Sequence, residues 1–269
     1  MAPASASLDV GSLLRTWRER RRLTQLEVAL DAGVSARHLS FVETGRSKPG
    51  RAMLLGVTDR LAIPYRERNE ILLAAGYAPA FPERSLDDPA LSPVRGALDR
   101  ILAAHEPYPG IAFDRGWNLV AANTAASAMV EGIDIDPSLL EPPINVLRLG
   151  VHPRGLAPYI ANLAHWRAHY LGRLAQQIAI TGDADLSALL EELRGYPGGD
   201  GEPPADHEVE VTDVLGPVRI RAPGGGEWSC FGMFASFDTP FEVTTSELAL
   251  ELLFPADQIT ERAFKKGAS

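Results

Sequence analysis

Apolar positions recur every three or four residues through the first eighty of the chain, then give way to shorter alternating runs. The change of period predicts helices first and mixed elements afterwards. Leu13, Leu14 and Trp17 share one face of a helix from Asp9 to Arg22. Val28, Ala29 and Ala32 make an apolar stripe on a short second helix that Thr24 caps, with Gln25 and Glu27 in its first turn. Gly33 supplies a left-handed turn without a Cβ clash, Val34 points inward, and Ser35 caps a third helix over Ala36 to Glu43. Leu39 and Val42 hold that helix to the core, so Ala36, Arg37, Ser40 and Phe41 face outward. Met53, Leu54, Val57 and Leu61 predict a fourth helix over Ala52 to Leu61, and Pro64 opens a fifth through Ala75 that Gly76 ends.

The Pro-rich run from Ala78 to Pro93 reads as a linker with little regular structure. Beyond Val94 the pattern is mixed α/β. PGIAFDRGWNLVAAN predicts two short strands around a turn at Asp114 to Gly116, with Asn123 capping a helix. Leu163, Trp166, Tyr170, Leu174 and Ile178 mark the apolar stripe of the longest helix, expected over Leu156 to Ile180. EVEVTDVLGPVRIRA alternates around Gly216-Pro217 as a hairpin in which Glu208 and Glu210 oppose Arg219 and Arg221. EWSCFGMFASF is apolar on both faces and predicts a central strand, and Glu247 to Phe254 predicts another strand or an extended edge.

With 269 residues, 45% of them hydrophobic, the chain can fill two ordinary cores. Cys230 is the single cysteine, which rules out an internal disulfide and a cysteine-rich metal cage. The opening MAPASASLDVGSLLRTWRER lacks the order of a signal peptide, and no run approaches the roughly 18 apolar residues of a membrane span. A cytoplasmic protein without a membrane partner is expected. The net charge of -9 conceals an asymmetry: twelve Lys/Arg against eight Asp/Glu through Ala80 give +4, and fourteen against twenty-seven beyond it give -13. A cationic cluster suits phosphate backbones, although a solvated charged face has the same composition.

The spacing Thr24-Gln25, Val28-Ala29, Ala32-Gly33-Val34-Ser35, Leu39-Ser40, Glu43 and Gly45-Arg46 resembles the helix-turn-helix domain of the phage-repressor and xenobiotic-response-element type. The resemblance implies that the third helix enters the major groove and the second lies across the backbone. Gln25 would then contact a phosphate, and Ser35, Ala36, Arg37, Ser40 and Phe41 would face the bases. Arg37 matches guanine O6 and N7, and Phe41 a thymine methyl. Arg46, Ser47, Lys48 and Arg51 would follow the phosphates. His38 either joins the reading face or packs against Val42, and Glu43 reads as structural. IPYRERNEILLAAGYAPAF, FDRGWNLVAAN, NVLRLGVHP, NLAHWRAHYLGRL and SELALELLFPAD resemble the MmyB-like regulators. That resemblance implies a multidomain protein: an all-α, five-helix lambda-repressor-like DNA-binding domain over residues 1–77, a linker over 78–93, and an α/β (α+β) PAS-like sensor over 94–269, a sheet with helices on one face. It further implies a hydrophobic, fatty-acid-like ligand. A homodimer whose two DNA-binding heads read a pseudo-palindromic operator is the mechanism expected, and no cofactor is expected.

Candidate apolar walls for such a ligand are Trp117, Trp166, Phe231, Met233 and Phe234, each of which could equally serve the core alone. Candidate polar contacts are Asn123, Asn145, Arg148 and His169; Asn123 could instead be only a helix cap and Arg148 only exposed. Two rival classes compete. His165 and His169 stand at metal-ligand spacing, with His152, His105 and His207 as further donors, but HWRAH lacks the glutamate of a zinc protease. No Gly-x-Ser-x-Gly elbow occurs, Cys230 reads as a buried thiol, and the glycine runs GYPGGDG and APGGGEW follow no phosphate-loop spacing. Alternatively, the acidic second half could dock a basic protein partner.

Overall fold

A computed structural model describes residues 9–198, 217–222, 225–237 and 241–267, which divide into two compact units whose main boundary falls between Arg84 and Ser85. The first unit holds five helices: α1 (Val10–Arg20), α2 (Gln25–Asp31), α3 (Ala36–Glu43), α4 (Arg51–Arg60) and α5 (Tyr65–Ala74). Thr24 and Glu27 form a reciprocal capping box, in which Glu27 Oε2 accepts from the Thr24 N–H at 2.7 Å. Gly33, at φ +68°, turns the chain into the Ser35 cap of α3. Leu14, Trp17, Val28, Leu39, Val42 and Leu54 close one core.

Two further contacts knit this unit. Glu43 at the end of α3 is buried and takes two parallel bonds from Arg18, Nε to Oε1 at 2.7 Å and Nη2 to Oε2 at 2.8 Å. Removing one member of such a pair leaves an uncompensated buried charge, so α1 and α3 are fixed to one another. Gly11 lets α1 approach the end of α3, because a Cβ there would collide with the Val42 carbonyl oxygen and stand 2.9 Å from that of Glu43. The start of the Pro-rich run is ordered: Asn69 Oδ1 accepts from the Ala80 and Phe81 N–H groups, and Phe81 stacks on Tyr65 with centroids 4.1 Å apart.

The second unit is a five-stranded antiparallel sheet with helices packed on it. Its strands are β1 (Gly110–Phe113), β2 (Leu119–Ala122), β3 (Val218–Arg221), β4 (Glu227–Ser236) and β5 (Ala249–Pro255), in the order β2-β1-β5-β4-β3. Helix α6 (Ser92–Ala104) puts Leu98 and Leu102 against Ala112, Leu250 and Leu252. Strand side chains alternate. Ile111, Phe113 and Ala249 therefore meet the opposite layer, where α8 (Val146–Val151), α9 (Leu163–Thr181) and α10 (Ala184–Arg194) bury Leu147, Leu174 and Leu193. Helices thus lie on both faces, not on one. α7 (Thr124–Val130), α11 (Val243–Ser246) and α12 (Gln258–Gly267) complete the described α-helices, with short 3-10 turns at Pro89–Leu91, Pro137–Leu140 and Ala157–Tyr159.

The elements differ from the sequence expectations in three places. The long helix begins at Leu163 instead of Leu156, because Ile160 bridges Ile220 and the Ala161 N–H donates to Arg219 O at 2.7 Å, which draws that stretch toward β3. The segment expected as another strand or an extended edge is a strand, β5, at the centre of the sheet, paired to β1 and β4. The first arm of the expected hairpin, with His207, Glu208 and Glu210, lies outside the described residues; β3 pairs with β4, bringing Arg219 within 3.6 Å of Glu227.

Two alanine substitutions check this packing from opposite directions. Gly11→Ala is expected to destabilise the protein by about 1–3 kcal/mol through backbone overlap. Gly172→Ala, in α9 with open space around the added Cβ, is expected to stabilise it by about 0.5–1 kcal/mol. Urea denaturation measures both.

Candidate functional site

The first site is the outer face of α3. Ser35 Oγ accepts from the His38 N–H at 3.1 Å, which fixes the helix start. Arg37 is exposed with its guanidinium carbon 5.3 Å from the Phe41 ring centre, one turn along. Ala36, His38, Ser40 and Phe41 are half-buried, whereas Arg46, Lys48 and Arg51 are exposed on the following turn and the start of α4. Gln25 is held in place from below: its Nε2 donates to Glu43 Oε2 at 2.8 Å. The second hydrogen of that amide remains for a phosphate.

The second site is a cavity of about 360 Å³ in the sheet-containing unit. Ile111, Leu119, Leu253 and Val218 form its sheet side. Met129 and Val130 come from α7, Val146 and Leu149 from α8, and Trp166 and Tyr170 from α9. Ile133 and Ile144 close it from the connecting segments. Polar wall groups are few. Ser127 donates to Asn123 O at 3.2 Å, which leaves Tyr159, Tyr170 and Glu251 as the titratable residues of the lining. Glu251 sits on β5 between Ile111 and Phe234 and accepts a hydrogen bond from the Tyr170 hydroxyl. Gly232 makes room for it, since a Cβ there would stand 3.1 Å from Glu251 Oε1.

Comparison with known proteins places both units. The ligand binding domain of the MmyB-like transcription regulators matches residues 94–266. The chain belongs to the MmyB-like family. A helix-turn-helix domain matches residues 9–71. Among solved structures, an RNA-binding light-oxygen-voltage receptor aligns with 98% of this chain at 12% identity and a TM-score of 0.31; the chain spans 62% of that receptor's length. No curated protein matches the chain.

Of the nine ligand-binding candidates in this MmyB-like sensor, the cavity gathers one, Trp166. Trp117 is buried in the adjoining core at φ +63°, stacked on Phe113 and donating from Nε1 to Gln177 at 2.8 Å. Phe234 lies in the same core under the Arg173 guanidinium, 3.7 Å from its ring centre. Phe231 stacks on Phe254, and Met233 is exposed. Both candidate asparagines are spent on backbone. Asn123 Oδ1 accepts from Gly110 and Ala126 while its Nδ2 donates to Leu102 and Tyr108; Asn145 caps α8 and donates to Gly116 O at 2.8 Å. Arg148 forms a two-pronged bond to Glu192, at 2.6 and 2.8 Å, outside the cavity. His169 also lies off the wall, its pKa lowered by burial and by Arg173 and His165. Among the described residues no three His, Cys, Asp or Glu side chains gather as a metal site.

The residues missed at the sequence level are Glu251 and its partner Tyr170. The available signal was a lone carboxylate between Leu250 and Leu252 in a strand otherwise apolar. Burial pushes the Glu251 carboxyl up to about 7, against the opposing pull of the Tyr170 hydrogen bond and the Arg173 charge. The Tyr170 phenol is raised by burial and by Glu251, and burial with Asp257 raises the Cys230 thiol to about 12, which makes it a poor nucleophile.

An unfolded chain releases the Glu251 proton near pH 4.5, whereas the folded one holds it to about 7. Folding therefore loses stability as pH rises through that window, on the order of 3 kcal/mol for this residue, and the deficit persists above it. Glu251→Gln is expected to match the parent near pH 4.5 and to exceed its stability at pH 8. Urea titrations at both values measure the difference; a gap that does not change with pH would contradict the assignment.

Proposed function

We propose that the protein is a one-component, non-enzymatic regulator that reads DNA with α3 and adjusts that reading according to what occupies the cavity. The observation that carries the proposal is the pairing, in one chain, of a capped helix presenting Arg37 and Phe41 with a second unit hollowed by an almost wholly apolar cavity. Arg37 supplies a two-pronged donor for guanine, Phe41 an apolar face for thymine, and Arg46, Lys48 and Arg51 sequence-independent phosphate contacts. The cytoplasm suits such a protein. No helix among the described residues is long and apolar enough to cross a membrane.

The expected occupant of the cavity is a small hydrophobic molecule with a chain-like body, as the fatty-acid-like expectation suggested. In a homodimer two copies of α3 would read half-sites about one helical turn apart, on a pseudo-palindromic operator. Occupancy can shift the DNA-bound arrangement only through differential affinity for the arrangements available.

Mobility-shift titrations of the protein with its own promoter region, over a salt series, test the reading. Arg37→Ala is expected to lose about 1–3 kcal/mol of discrimination at one position of each half-site. Lys48→Ala should weaken all sequences alike and lower the salt slope by about one. Equal affinity for promoter and random DNA would overturn the proposal.

A further inference from the structure

The first unit carries a groove and an exposed ring side by side. The groove, about 430 Å³, lies between α5 and the Pro-rich run that follows it, with Leu73, Pro79, Phe81 and Pro82 in its lining. Leu73 is 57% exposed, although its neighbours Ile71 and Leu72 are buried in the core. The walls are fixed before anything arrives. Phe81 stacks on Tyr65, Asn69 bonds the Phe81 N–H at 3.1 Å and its carbonyl at 2.7 Å, and Arg66 pairs with Glu83. Residues 241–243 belong to the same compact unit. The Val243 N–H donates to Pro82 O at 2.8 Å, and Glu242 Oε1 accepts from the Arg84 N–H at 2.8 Å, so this stretch is tied to the border of the groove. Phe241, next to Glu242, is 83% exposed, more than any other large hydrophobic side chain among the described residues.

We propose that this face joins two copies of the chain, the Phe241 ring of each entering the groove of the other beside Leu73. The inference rests on the reading of the protein as a DNA-bound homodimer and assigns the contact that joins its heads. A two-fold axis brings the same patch of each copy together, so a surface matches itself when a projecting group and its receptor lie side by side on it. Phe241 and the groove meet that condition. Exposed apolar surface of this kind marks an interaction site, and an aromatic ring is a side chain with much to gain from burial there. Charge agrees with a like partner: Arg66 stands against Glu70 and Glu83 in the lining, so the rim is nearly balanced and two copies approach without strong repulsion. At about 150–250 Å² per ring, two rings and the walls they cover fall short of the roughly 1,200 Å² of a stable interface. The contact is therefore weak between free chains and closes when DNA holds two heads on neighbouring half-sites.

Disulfide trapping of the full chain on promoter DNA tests the contact. Phe241→Cys and Leu73→Cys chains are mixed in equal amounts under mild oxidation; Cys230 is buried and does not compete. The mixture is expected to give a cross-linked pair about fivefold faster or more on promoter DNA than in free solution, and neither variant alone should match it. Phe241→Ala, a change at an exposed side chain, should lower the cooperativity of promoter binding about tenfold and leave the affinity for an isolated half-site unchanged. No cross-link from the mixture, or Phe241→Cys pairing with itself as readily, overturns the assignment of this face, while cooperative binding by the parent keeps the homodimer reading. A double variant that closes within one chain shows the ring turning into its own groove, and this too overturns the assignment. Promoter binding by the parent without cooperativity between half-sites overturns both.

Discussion

The sensor unit is organised around a buried carboxyl group. Glu251 lies on the central strand, where β1 and β4 fix its backbone on both sides, and the Tyr170 hydroxyl ties it to the longest helix of the overlying layer. That one bond marks where packed core ends and empty space begins. Toward one side Trp117, Phe113 and Phe234 interlock as a dense aromatic cluster; toward the other lie the aliphatic walls of the cavity. Burying an acid instead of a leucine at this position sacrifices stability above its titration range. Polar groups of this kind, set in an otherwise apolar hollow, fix the orientation and identity of a small molecule.

A parallel device operates in the DNA-reading unit, with the opposite electrostatic outcome. Glu43 is also a buried carboxylate, but Arg18 and Gln25 satisfy it fully, so α1, α2 and α3 become one rigid frame. Arg37 and Phe41 project from that frame, on a helix whose start Ser35 fixes and whose end Glu43 anchors. The paired acid serves rigidity. The acid in the sensor is held by Tyr170 alone and borders the cavity.

Local chemistry was legible in the sequence, and non-local chemistry was not. The caps at Thr24, Ser35, Asn123 and the turn at Gly33 follow from residues within a few positions of one another, and the helices of the first unit fall within a residue or two of their expected bounds. Cavity residues depend on which way each strand faces and on what packs above it. Phe231, Met233 and Phe234 were attractive because they are large and apolar, yet the register of β4 sends them to a stack, to solvent and to the core. Asn123 and Asn145 were attractive because they are polar, and the backbone consumes both. Conversely, Glu251 stands out only once β5 is seen to be central, a placement that nothing local in the sequence reveals.

The account's central claim is that occupancy of the cavity and affinity for DNA are thermodynamically linked within one chain. The most direct measurement is the dissociation constant for the promoter site at fixed salt, with and without saturating decanoate. Linkage predicts a change of about fivefold or more, in either direction, and a reciprocal change in decanoate affinity when DNA is bound. An unchanged constant, with decanoate demonstrably bound, would contradict the claim and leave a DNA-binding protein whose cavity serves some other end.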